Sequence, residues 1–273
     1  MEPTVFITGT SSGIGKATAR IFLEHGWQVA ATMRTPEKET ELNEWDKVKL
    51  YKLDVTDPAS IQSALDKAIA DFGKIDVLVN NAGYALTGPF EEMSEAQIRR
   101  QFETNVFGLM AVTRAILPHF RFQGGGVIVN LASVAGRTAI PTYSPYHATK
   151  WAVEGFTESL SYELEPFNIR VKLIEPGPIK TDFYDRSMDS PQMPSDSPYF
   201  DYVNRVNKTI MATAQNGYPP EIVAKVIYKA ATDNSNRLRY PADPMAKMSL
   251  ISRRLLPDRI FMSVIRSMTR KSK

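Results

Sequence analysis

Val5-Phe6-Ile7-Thr8-Gly9-Thr10-Ser11-Ser12-Gly13-Ile14-Gly15 is the stretch whose reading decides the fold. An apolar run of strand length enters a turn crowded with three glycines and the hydroxyls of Thr10, Ser11 and Ser12, and a helical pattern follows over about 16–25. Glycines at such a junction let the backbone turn sharply, approach a pyrophosphate closely and pack the next helix on the sheet. The N-terminal amides and dipole of that helix then face the anion. A simple tight turn needs only one glycine. The spacing is G-x-x-x-G-x-G rather than the more general G-x-G-x-x-G.

Outward from this junction, short apolar runs alternate with helical patterns. Val29-Ala30-Ala31-Thr32, Ile75-Asp76-Val77-Leu78-Val79, Val127-Ile128-Val129-Asn130-Leu131 and Val171-Lys172-Leu173-Ile174 are near-continuous apolar segments, as expected of strands buried on both faces. Helices are predicted at about 58–72, 94–120 and 146–166, the first opening with Asp57 as N-cap and Pro58 at the first helical position. Repeated β-α-β order predicts an α/β fold: one doubly wound parallel sheet with helices on both faces.

The 273 residues suit one large domain, expected over 1–245, with a basic amphipathic extension over 246–273. Cysteine is absent, which excludes disulfides, thiolate catalysis and a cysteine-based metal site. Three scattered histidines, His25, His119 and His147, point to no metal site; His25 reads as a helix C-cap. No charged-then-apolar leader and no apolar run of membrane-spanning length is present, so a soluble, cytoplasmic protein is expected. The net charge of +3 hides an asymmetry. Arg253 to Lys273 carries seven bases and one acid, a charge of +6, so the preceding residues sum to −3, which argues against nucleic acid binding by the main body. In that tail Ile260, Phe261, Val264, Ile265 and Met268 share a helical stripe, with Arg259, Arg266 and Arg270 elsewhere. It suits peripheral contact with an anionic membrane or packing across the body or a partner subunit.

Tyr146-His147-Ala148-Thr149-Lys150 carries the chemistry. A phenol and an ammonium four residues apart fall on one helical face, where the cation favours the phenolate and makes tyrosine a usable acid/base. His147 is turned about 100° away on the same helix.

The glycine spacing, the turn Asn80-Asn81-Ala82-Gly83 after the Ile75–Val79 run, Ser133 after the Val127–Leu131 run, Tyr146-x-x-x-Lys150 and the strand-end Pro176-Gly177-Pro178-Ile179-Lys180-Thr181 come in order along the chain. Together they resemble the short-chain dehydrogenase/reductase family, from about Val5 to Tyr240. Lys150 to Phe156 and Ala31 to Arg34 look closest to the branch with 17β-hydroxysteroid dehydrogenases, retinol dehydrogenases and acyl-dihydroxyacetone-phosphate reductases.

The resemblance implies a catalytic set of Asn105, Ser133, Tyr146 and Lys150. Tyr146 would exchange the proton at the substrate oxygen. Ser133 would hold that oxygen. Lys150 would also bond the nicotinamide ribose, and Asn105 would position a relay water. Cofactor contacts are implied for Gly9, Thr10, Ser11, Ser12, Gly13, Ile14, Gly15, Arg34, Asp54, Val55, Asn81, Ala82, Gly83, Tyr146, Lys150, Pro176, Gly177, Ile179 and Thr181. An acid at the end of the second strand would bond a ribose 2′-hydroxyl, but this chain has Thr32-Met33-Arg34, so NADP(H) is expected over NAD(H). Ser12 stands where many NADP-dependent relatives carry a second base.

The segment from Asp182 to Gln215, with three prolines and Phe183, Tyr184, Tyr199, Phe200 and Tyr202, reads as a substrate lid or as a short helix packed on the body by its aromatics. Tyr84, Leu86, Phe90 and Tyr143 are expected on other rim loops. Substrate contacts are expected from Ser133, Tyr143, Tyr146, Phe183 and Tyr184, to a hydrophobic ketone, aldehyde or secondary alcohol. A homodimer or homotetramer is implied by the resemblance. The competing reading is a cofactor-binding sensor or scaffold without turnover.

Overall fold

Alternation along the first strand builds both layers of the core. In β1 (Thr4–Thr8) Val5 and Ile7 face one side and Phe6 the other, and all are fully buried. The computed structural model describes residues 2–181 and 187–267. Its main sheet has seven parallel strands in the order β3 (Val48–Lys52), β2 (Gln28–Met33), β1, β4 (Val77–Asn80), β6 (Gly126–Leu131), β7 (Ile169–Glu175) and β9 (Arg239–Pro241). The order reverses at β1, with β2 on one side and β4 on the other.

On the first face, Val5, Ile7, Val29, Val77 and Val127 pack on α1 (Gly13–Glu24) and α7 (Pro220–Thr232). On the second, Phe6, Ala30, Leu78 and Ile128 pack on α2 (Pro58–Phe72), α4 (Leu109–Phe122) and α5 (Ser144–Leu164). Asp57 caps α2 by accepting from the Ala59 N–H at 2.9 Å, as its sequence predicts.

The stretch expected as one helix over 94–120 is in three parts. α3 (Glu95–Phe102), capped by Ser94 and Gln97, runs through a π-helical turn at Glu103–Gly108 into α4. β3 escapes an apolar-run reading because it is an edge strand: Val48 and Tyr51 are buried while Lys49 and Lys52 are exposed. A second small sheet pairs β5 (Ala85–Leu86) with β8 (Met188–Asp189).

The C-terminal part is helical: α6 (Phe200–Gln215) and α7, then β9, α8 (Pro244–Leu255) and α9 (Asp258–Ser267). α8 starts before the expected boundary at 246. It is tied into the body by Asp243, which caps it through the Ala246 N–H and accepts from the Gly177 N–H at 2.7 Å. Among the described residues no helix is long and apolar enough to cross a membrane.

Candidate active site

A cleft of about 1160 Å³ opens across the C-terminal ends of β1, β2, β4, β6 and β7. Ligands of open α/β sheets bind there, where the strand order reverses. Its floor is stitched by buried polar groups. Thr8 Oγ1 accepts from the N–H groups of Asn81 and Ala82, and Asn81 Nδ2 donates to the carbonyls of Thr8 and Gly9. Behind them Asn80 donates to Thr113 and Asn130, and Asn130 donates to Thr157, all at 2.9 Å. These bonds join two strand ends to α4 and α5, and neutral hydrogen bonds of this kind contribute about 1 kcal/mol each.

At the glycine turn Gly9 adopts φ +73°, and a Cβ on Gly15 would overlap the Gly9 carbonyl and the Asn81 amide. Ser12, the N-cap of α1, makes no side-chain capping bond, so the first-turn amides face the cleft for an anion. Both observations fit a dinucleotide pyrophosphate. Arg34 is exposed at the end of β2 and lines the cleft. Burial pushes the Asp54 carboxyl up, but hydrogen bonds from Thr56 and the nearby Arg34 charge outweigh it and hold the group below its ordinary range.

Of the residues expected to touch the cofactor, Thr10 does not line this cleft. It is fully buried, because its N–H and its hydroxyl both turn back to the Thr32 carbonyl. The others line it together.

Tyr146 and Lys150 face the cleft from the first turns of α5, with the Lys150 ammonium 5.8 Å from the Tyr146 ring centre. Lys150 Nζ donates to the Leu131 carbonyl at 2.7 Å. Burial brings its pKa down to about 8, opposed by the charge of Glu154 one turn on. Burial, followed by the charge of Glu175, pushes Glu154 up to about 7, while Arg239 and Arg137 pull it back. Ser133, at the end of β6, accepts from the Ala135 N–H at 3.1 Å and donates to the Pro176 carbonyl at 3.3 Å, which sets its hydroxyl at the cleft wall.

Asn105 sits inside the π turn, buried and outside the cleft lining. Its side chain accepts from the Tyr84 N–H and donates to the Tyr84 carbonyl and the Thr149 hydroxyl. His147 fixes the loop beside Tyr146: its Nδ1 bonds the Ala135 carbonyl and its Nε2 accepts from the Ile140 N–H. Burial pushes its pKa down. His25 bonds the Ile21 carbonyl at the end of α1, as a C-cap should.

The substrate end differs from the aromatic rim expected. Tyr84 and Tyr143 line the cleft, whereas Leu86 is core and Phe90 is exposed away from it. Phe183 and Tyr184 lie outside the described residues. From the expected lid, α6 presents Val206, Thr209, Ile210 and Thr213; Tyr199, Phe200 and Tyr202 do not reach the cleft, and Tyr199 instead bonds Glu91 at 2.6 Å. Sequence reasoning missed Met245, Met248, Phe261, Val264 and Ile265, which wall the cleft from α8 and α9. The helical stripe over 260–265 was their visible signal. Among the described residues no cluster of His, Asp and Glu is arranged to hold a metal ion.

Residues 3–191 match the profile of the short chain dehydrogenase family. The chain is 40% identical over 270 residues to the uncharacterized oxidoreductase YusZ of Bacillus subtilis, covering 95% of this chain and 96% of that protein. It is 34% identical to a 3-ketodihydrosphingosine reductase of Bacteroides thetaiotaomicron, covering 97% and 98%. Among solved structures, ElxO with NADP bound is 29% identical with a TM-score of 0.75, covering 91% of this chain and all of that one.

Proposed function

The chain belongs to the short-chain dehydrogenase family and is an oxidoreductase with a nicotinamide cofactor, and we propose that it uses NADP(H) to interconvert a lipophilic ketone or aldehyde and its alcohol. The observation that carries this reading is the convergence of Tyr146, Lys150 and Ser133 with the Gly9–Gly15 turn in one cleft. The bound nicotinamide supplies or accepts the hydride. Tyr146 gives its proton to the carbonyl oxygen in reduction and recovers it in oxidation. Lys150, largely protonated at neutral pH, favours the phenolate. Ser133 holds the oxygen as negative charge develops on it. Asn105 is a positioning residue, holding the π turn against Tyr84.

NADP(H) is favoured by Arg34, a guanidinium on the cleft where an acid would repel a 2′-phosphate, and by the NADP of the related ElxO. A lipophilic substrate is favoured by the aliphatic wall of Val206, Ile210, Met245, Val264 and Ile265, and by the 3-ketodihydrosphingosine named for the Bacteroides relative. Exposed Phe107, Trp151 and Tyr162, on the turn before α4 and on α5, favour self-association through these helices.

The test is NADPH consumption across a panel of lipophilic ketones and aldehydes by the wild type and Tyr146→Phe. Turnover should fall about 10²- to 10⁴-fold in the variant, with NADPH affinity retained. If no substrate on a broad panel gives Tyr146-dependent turnover, the sensor reading replaces this one.

A further inference from the structure

We propose that α8 and α9 form a docking element for an anionic lipid bilayer, placing the mouth of the cleft against the membrane surface. The two helices have inner and outer surfaces of different use. Inward, Ala246, Leu250 and Phe261 are buried, and Met245, Ser249, Val264 and Ile265 line the cleft. Outward, α8 exposes Ile251 and Leu255, which helical spacing places on one stripe beside Met248 at the rim of the cleft. Lys247 and Arg254 are exposed at the edge of that stripe. Leu256 continues the apolar surface into the connection, and α9 adds exposed Ile260 and Met262 on either side of the buried Phe261.

Charge selects the partner. Lys247, Arg253, Arg254, Arg259 and Arg266 face one acid in these helices, Asp258, which is paired with Arg253. The guanidinium of Arg253 also lies 5.1 Å from the Phe261 ring centre, linking the helices. The chain before Arg253 carries −3. An exposed aliphatic stripe bordered by Lys and Arg, on a body of the opposite sign, matches an anionic headgroup layer over hydrocarbon. A second copy of this chain would bring one basic element against another at this face. The docking does not depend on what the cleft reduces.

The experiment is co-sedimentation of the full chain with phosphatidylglycerol/phosphatidylcholine vesicles and with pure phosphatidylcholine vesicles. Retention on the anionic vesicles is expected, weakening from 0.1 to 1 M salt as the screening length falls from roughly 10 to roughly 3 Å. Arg254→Glu should lower partitioning about fivefold or more. Ile251→Glu with Leu255→Glu should abolish it, with the thermal unfolding transition unchanged since both side chains are exposed. Absence of retention at low salt overturns the proposal. So does a double variant that converts a dimer to a monomer while still binding vesicles, which would make the face an interface between copies.

Discussion

The two ends of the cleft are built on different principles. At the nucleotide end, strand termini carry the functional groups, and buried or half-buried side chains fix them: Thr8, Asn80, Asn81 and Asn130 bond across three strands. At the substrate end, helices α6, α8 and α9 supply the wall, and each leaves most of its residues partly or fully exposed. Close packing of backbone against backbone tolerates no added atom, whereas an aliphatic wall of helical side chains accepts changes of shape. One end is suited to a constant ligand and the other to a variable one.

The sharpest trial of this contrast sets an added methyl against removed ones. Gly15→Ala forces a Cβ into the Gly9 carbonyl and should cost about 1–3 kcal/mol, read as a lower unfolding temperature with weakened NADPH binding. Ile265→Ala, which removes more atoms from the opposite wall, should leave NADPH affinity within about twofold and raise KM for long-chain substrates. Equal losses of NADPH affinity in the two variants would break the contrast.

A smaller effect sharpens the nucleotide end. Arg34→Glu removes a charge-assisted contact worth about 1.5–3 kcal/mol, so the ratio of NADPH to NADH efficiency should fall about 10-fold or more. An unchanged kcat/KM ratio would remove Arg34 from cofactor choice.

The smallest effect lies at the seam. Arg239 on β9 bridges Glu154 and Glu158 of α5 at 3.0 and 2.6 Å, joining the catalytic helix to the strand that leads into α8. Glu154 is raised to about 7 in the fold from an ordinary 4.5, so between those values the native state holds more protons than the unfolded chain. Stability must then fall as pH rises through this window. Glu154→Gln removes the slope, and the difference in Tm between variant and wild type should grow more positive from pH 5 to pH 8. A constant difference would mean that Glu154 is already ionised at pH 5.

Legibility followed the same division. Gly9, Gly13, Gly15, Tyr146 and Lys150 were readable because their spacing is local, Asn81 and Ser133 through the family resemblance, and the structure brings them all to one cleft. The interruption of the helix at Glu103–Gly108 was not, since a π turn depends on contacts such as Asn105 with Tyr84 and Thr149. That Tyr199, Phe200 and Tyr202 stay off the cleft was not legible either, because size and apolarity do not say which way a helix turns; α6 gives Val206 and Ile210 to the cleft.

By itself the sequence determined the layered α/β order, the pyrophosphate-compatible turn and the phenol-ammonium pair, because each rests on periodicity or on a few adjacent residues. Only the tertiary structure decided that Thr10 stays behind the cleft, that Glu154 and Glu175 are buried near one another, and that a basic C-terminal helix pair walls the substrate end. Those outcomes depend on burial and on contacts between residues tens to hundreds of positions apart, which local pattern does not encode.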